Sequence, residues 1–220
     1  VWNAFDADPE QWVAIVTGAG PRAFSAGNDL KFQAAGGKKG FVASGFAGLT
    51  SRHNLNKPVI AAVNGVAMGG GFEVALACDI IIAAANAKFA LPEPRVGLAA
   101  LAGGVHRLPR TIGLKRAMGM MLTGRHVSAQ EGYELGFVTA LAAEGEAVNE
   151  AKKWAAQILE CSPMSIRATK QAAMQGLAIT DVATAYKVEY YAVARMRSSS
   201  DFIEGPKAFS EKRKPNWKSE

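Results

Sequence analysis

Residues 12–17, Trp-Val-Ala-Ile-Val-Thr, form a short apolar run between Asp8-Pro9 and Gly18, the pattern of a buried strand. A second run, 58–63, opens with Pro58, at the strand position where a missing ladder donor costs least. Residues 79–83 and 88–91 read as two more short strands. The segment 69–71 is Gly-Gly-Gly and turns into a helix over 72–78; a second helix is expected over 29–35, and 46–55 reads as helical. Residues 3–5 look like the last turn of a helix, and 36–40, Gly-Gly-Lys-Lys-Gly, like a flexible loop. After Pro109 the period changes from two to nearly four, and strands almost vanish. Ser128-Ala-Gln-Glu131 has the form of a capping box, and Gly136 supplies a stop. Amphipathic helices follow over 146–159, 164–176 and 181–196. The expected class is α/β: a layered core over 1–127 that carries the site, then a helical region over 128–220.

Composition changes this picture little. With 49% hydrophobic and 20% charged residues, the 220-residue chain can build one sizeable core with a helical appendage. The longest weakly polar stretch, 74–87, is broken by Asp79 and Asn86, so no membrane span is expected. Asp6, Asp8 and Glu10 stand where a secretory leader would be basic; a cytoplasmic location is expected, with the mitochondrial matrix left open. Cys78 and Cys161 show no metal-ligand spacing, and no metal is expected. The net charge of +6 suits an anionic ligand, although much of the excess sits near the end, at Lys207, Lys212, Arg213, Lys214 and Lys218.

Two phosphate-binding motifs fail on inspection. Gly18-Ala-Gly-Pro-Arg-Ala23 fits a dinucleotide fingerprint, but Pro21 would fall early in the required helix and no acid follows at the ribose distance. Residues 36–40 lack the Walker spacing. A stronger feature is a pair of strand-to-helix turns, Ala26-Gly-Asn-Asp29 and Met68-Gly-Gly-Gly71. Each leaves backbone N–H groups unsatisfied at a helix start, and two such donors aimed at one point make an oxyanion hole. Glu73 lies just inside the second turn in an otherwise apolar helix, where an acid is costly to bury without a task or a partner. Glu93, between Pro92 and Pro94, is expected in an extended, rigid stretch. Two acids beside such a hole can shuttle protons and hold a water.

Residues 23–30 (Ala-Phe-Ser-Ala-Gly-Asn-Asp-Leu), 57–65 (Lys-Pro-Val-Ile-Ala-Ala-Val-Asn-Gly), 69–73 (Gly-Gly-Gly-Phe-Glu) and 78–80 (Cys-Asp-Ile) strongly resemble the crotonase, or enoyl-CoA hydratase/isomerase, family. Residues 89–93 (Phe-Ala-Leu-Pro-Glu) and 208–213 (Ala-Phe-Ser-Glu-Lys-Arg) extend the match over nearly the whole chain. The resemblance implies a spiral of ββα turns, a C-terminal helical trimerisation region, and homotrimers that often pair as hexamers. It also implies that the family's upstream strands precede residue 1. Asn28 and Gly70 fall on the oxyanion donors, Ala26 on the carbonyl that receives the adenine amino group, and Glu73 and Glu93 on the two hydratase acids. Arg22, Lys31 and Lys212 are candidates for the CoA phosphates. His106 stands where a polar residue is usual beside the acyl pocket, and is read as structural.

The expected reaction is hydration of a 2-enoyl-CoA to a 3-hydroxyacyl-CoA, with Glu73 as base on the water and Glu93 giving the proton to C2. No cofactor is expected, since CoA enters with the substrate. Alternatives are carnitinyl-CoA-type dehydration, isomerisation or thioester hydrolysis, and RNA binding on the same scaffold. No interleaving of aromatic and basic residues supports the last, and nucleic acid is not an expected partner. From the match at Ala26 and Asn28, free CoA or acetoacetyl-CoA should raise the melting temperature in thermal denaturation while NAD and ATP do not; equal stabilisation by NAD would refute it.

Overall fold

The computed structural model describes residues 1–37 and 42–220; Lys38, Lys39 and Gly40 of the expected loop lie outside the described residues. The strands are β1 (Ala14–Thr17), β2 (Ala23–Ser25), β3 (Val59–Val63), β4 (Val66–Met68), β5 (Ile80–Ala84), β6 (Lys88–Ala90), β7 (Val127–Ser128) and β8 (Ala140–Ala142). The helices are α1 (Trp2–Ala7), α2 (Leu30–Ala34), α3 (Gly70–Ala77), α4 (Gly104–Ile112), α5 (Leu114–Thr123), α6 (Ala129–Leu135), α7 (Ala147–Leu159), α8 (Pro163–Gly176), α9 (Val182–Ala185), α10 (Tyr191–Arg197) and α11 (Ser200–Ser210).

Strands β1 to β6 alternate between two four-stranded sheets, in the orders β1-β3-β5-β8 and β2-β4-β6-β7, with β7 joining the even strands and β8 the odd ones. Each ββα turn thus gives one strand to each sheet and a helix beyond, which is the expected spiral. Ladders β2–β4, β4–β6, β3–β5 and β5–β8 are parallel, and only the short β6–β7 ladder is antiparallel among those with a described register. Parallel pairing explains the near-continuous apolar strands: Ile60 to Val63 are fully buried, being covered on both faces. Phe72, Phe89 and Phe137 fill the space beside them, with ring centroids 5.0–5.1 Å apart.

By packing the chain divides into two compact units. The larger comprises residues 15–53 and 59–153, so it runs past residue 127 to take in α6 and β8. In the smaller, made of residues 1–14, 54–58 and 154–220, Lys57 is only 4% exposed. Its ammonium donates to the carbonyls of Phe5 (2.6 Å) and Asp8 (2.5 Å) and lies 5.1 Å from the Phe5 ring centroid. Such a buried cation is tolerable because carbonyl oxygens and a π face replace its water. Gln171 of α8 accepts from the Ala192 N–H of α10 at 2.7 Å, and Asp201 accepts from Ser162 at 2.9 Å.

The structure departs from the sequence reading where segments are short. Strands β2 and β4, of three residues each, carry no periodicity of their own and were not expected. Residues 46–55 hold only a 3-10 turn at Phe46–Gly48. The segment 181–196 is not one helix but α9 and α10, because 187–190 leave the helical path. The Ser128 hydroxyl accepts from the Glu131 N–H at 3.1 Å, as a capping box requires, but the Glu131 carboxylate pairs with Arg125 at 2.6 Å. Only the hydroxyl half of the box is built, so Ser128→Ala should lower the unfolding free energy by about 1 kcal/mol in urea denaturation.

Candidate active site

Because β2, β4 and β6 are neighbours and run parallel, their carboxyl ends lie side by side. Ser25 is level with Ala67, and Met68 with Ala90. Whatever leaves those ends must converge, which is the general reason that ligands meet α/β sheets there. Three sequence-selected features leave them: the turn at 26–28, the turn at 69–70 that opens α3, and the segment carrying Glu93.

The first two turns touch. Gly27 has φ +83°, and a Cβ there would sit 2.8 Å from the Gly70 nitrogen and 2.8 Å from the Met68 oxygen. Only glycine permits that approach. Asp29 caps α2 by accepting from the N–H groups of Lys31 and Phe32, and no acceptor for the Asn28 N–H occurs among the described residues. The Asn28 side chain donates to Gln33 at 2.8 Å. Gly70 is the first residue of α3, so its N–H has no intrahelical acceptor. Gly69, at φ 53°, gives its own N–H to Ala90 of β6 at 3.0 Å, which fixes the turn to the neighbouring strand.

Glu73 is buried one turn into α3, at 3% exposure. Its Oε1 accepts from the Gly104 N–H at 2.9 Å, where α4 begins. Burial pushes its carboxyl above the ordinary range and the charge of Glu93 adds to this; the N–H groups of Gly104 and Ala102 and the charge of Arg107 oppose it. Glu93 opens a 3-10 turn, Glu93–Val96, rather than lying in an extended stretch, because Gly97 in the left-handed region closes the turn on it. Arg95 pins that turn by donating to the Thr123 carbonyl of α5 at 2.9 Å. The Glu93 carboxyl lies beside Gly69: a Cβ on that glycine would come 3.1 Å from Oε1, and Oε2 is buried without a partner among the described residues. Burial raises this carboxyl too, with only its own N–H in opposition. The two acids are therefore unlike. Glu73 is served by outside donors that favour its anion; Glu93 is placed to keep a proton or to meet a ligand's polar atom.

Ala26 lies exposed in the same turn as Asn28. Arg22 enters β2 at the end away from the turns, and Lys31 is exposed on α2. Lys212 belongs to the smaller unit, in a left-handed conformation (φ 53°) after α11. His106 is exposed on α4. Gly18 and Gly20, the rejected fingerprint, lead into strand β2 instead of a helix, and Asn64 clamps the turn, accepting from Gly18 N–H at 3.0 Å and donating to the Gly20 carbonyl at 2.6 Å. Sequence reasoning missed the ring of Phe46, which packs against Gly70, within 2.9 Å of where a Cβ would stand. No group of three or more His, Cys, Asp or Glu that could hold a metal occurs among the described residues. No helix among them is long and apolar enough to cross a membrane.

The ββα spiral, with its two touching glycine turns and the Glu73 and Glu93 carboxyls beside them, is that of the crotonase class. The family described as Enoyl-CoA hydratase/isomerase matches residues 1–220, and the chain belongs to it. It is 43% identical over 226 residues to a carnitinyl-CoA dehydratase of Proteus mirabilis (strain HI4320), and 44% identical over 224 residues to one of Escherichia coli (strain K12); each alignment covers 99% of this chain and 85% of the relative. The crystal structure of an enoyl-CoA hydratase from Mycobacterium tuberculosis H37Rv superposes with a TM-score of 0.92 at 38% identity, covering 99% of this chain and 85% of that one. The chain is thus a hydratase/dehydratase-type lyase of CoA thioesters.

If both carboxyls serve the chemistry, Glu73→Gln and Glu93→Gln should each lower kcat by about 10²–10⁴-fold with little change in KM. The double variant should fall far short of the product of the two losses in steady-state assays, because groups sharing one water act as a unit.

Proposed function

We propose that this protein moves water across the C2–C3 bond of an acyl-CoA, with carnitinyl-CoA as its preferred 3-hydroxyacyl thioester. The observation that carries the reaction type is the pair of unlike acids, Glu73 buried and Glu93 with its Oε2 buried and unpartnered among the described residues, beside the amides of Asn28 and Gly70. In the dehydration direction the thioester oxygen accepts from the N–H groups of Asn28 and Gly70, each worth about 3 kcal/mol to the enolate. With Glu73 as the anion and Glu93 as the acid, hydration has Glu73 take a proton from water and Glu93 give one to C2. Dehydration runs the same steps backwards, Glu93 taking the C2 proton and Glu73 giving one to the departing C3 hydroxyl. No metal or redox step enters, and CoA arrives as part of the substrate. Ala26 would receive the adenine amino group, with Arg22 and Lys31 of the same unit near the CoA phosphates.

The choice of acyl group rests on the relatives named as carnitinyl-CoA dehydratases. The half-buried Phe46 ring beside Gly70 supports it, since an aromatic face attracts a quaternary ammonium. A second reading, hydration of a plain alkyl 2-enoyl-CoA, is favoured by a cavity of about 300 Å³ whose lining of Leu91, Ala100, Val105, Leu114 and Met118 is apolar. Leu91 and Ala100 also abut Gly104, so the cavity shares a wall with the Glu73 site.

A panel of carnitinyl-CoA, 3-hydroxybutyryl-CoA and crotonyl-CoA, with products identified by mass, separates the two. The proposal expects kcat/KM for carnitinyl-CoA to exceed that for 3-hydroxybutyryl-CoA by at least about tenfold, the scale of a cation–π contact in a desolvated site. The reverse order would assign the alkyl substrate, and turnover of neither would remove the reaction itself.

A further inference from the structure

Helix α4 opens at Gly103-Gly104, and its first turn is faced by two opposite charges. On one side Glu73 Oε1 accepts from the Gly104 N–H at 2.9 Å. On the other, the Arg107 side chain folds back over Gly103, so that a Cβ there would meet Nη1 at 2.3 Å. The helix itself sets this up: Gly103 is the N-cap at φ 117°, and its carbonyl accepts from the Arg107 N–H at 2.8 Å. Arg107 is therefore held one turn above the dipeptide that binds Glu73.

The guanidinium is partly buried and forms no ion pair within 4 Å among the described residues. A desolvated cation with no carboxylate against it is costly. What faces it is the Glu73 charge first and the Cys78 thiol second. Among the described residues, the charges that bear on Glu73 are Glu93 from the 3-10 turn, which works against its anion, and Arg107 from α4, which favours it; His106, the neighbour on α4, is exposed.

We infer that Arg107 is a positioning residue for this reaction: folded back over Gly103, it holds the α4 start so that the Gly104 N–H meets the Glu73 carboxylate, and it sets a positive charge on the other side of that dipeptide. It touches no substrate. Its contribution is to the fraction of Glu73 able to accept a proton from water in the hydration direction. This inference rests on the reading of Glu73 as that base.

The experiment is the pH profile of kcat/KM for hydration of the preferred enoyl-CoA, measured for the wild type, Arg107→Met, Arg107→Gln and Arg107→Lys. Loss of the cation removes an influence that lowers the Glu73 pKa, so the acid limb should move to higher pH, by about half to one pH unit for Met and Gln. At pH values above the limb these variants should recover to within about threefold of the wild type. Lysine, which keeps the charge, should leave the limb near its original place. A loss equal at all pH values, with the limb unmoved in Met and Gln, would make Arg107 merely structural and overturn the inference. Should Met fail to fold, Gln keeps a hydrogen-bonding side chain without the charge and gives the same reading. Failure of the underlying assignment is separately visible: if Glu73→Gln retains the wild-type acid limb, Glu73 is not the group titrating.

Discussion

The parallel pairing of β2, β4 and β6 is the constraint on which the rest of the site depends. Three strands of three residues each are too short to be stable alone, and their ladders exist because the β3–β5 sheet and the phenylalanine cluster bury their flanks. Once they are in register, the two glycine turns and the Glu93 segment have nowhere to go but together. The chemistry is thus an outcome of register: a slip by one residue between β2 and β4 would part Gly27 from Gly70 and reverse which face each strand presents.

Within that frame, the site works by contrast. Both carboxyls are pushed towards the neutral form by burial, but Glu73 meets backbone donors and Arg107 while Glu93 meets little besides its own N–H. Like-charged neighbours in a dry site do not ionise equally, and the protein decides which yields by where it spends its N–H groups. On the proposed reading the α4 start matters as much as the α3 start does: one offers the Gly70 amide to an incoming oxygen, and the other gives the Gly104 amide to a resident acid.

Much of this was legible in the chain. The long apolar runs became β3 and β5, the glycine runs became turns, and Glu73 stood out because an acid inside an apolar helix needs a reason. The three-residue strands were not legible, since their burial comes from neighbours distant in sequence and leaves no period to read. Glu93 was expected on the wrong backbone: flanking prolines suggest extension, whereas Gly97 folds the segment into a 3-10 turn. Phe46 and Arg107 gave no local signal, because their roles arise from contacts with Gly70 and Gly103 that only the fold creates.

The Asn28 side chain is spent on Gln33, while its main-chain N–H has no acceptor among the described residues. A site built from main-chain groups is genetically quiet: nineteen of the codable residues supply that same N–H, so sequence drift at position 28 can proceed with little chemical consequence. The burden of inheritance passes instead to Gly27, whose missing side chain lets the two turns meet. On the proposed reading, the position whose amide serves the substrate is free to vary, and the position that touches no substrate is not.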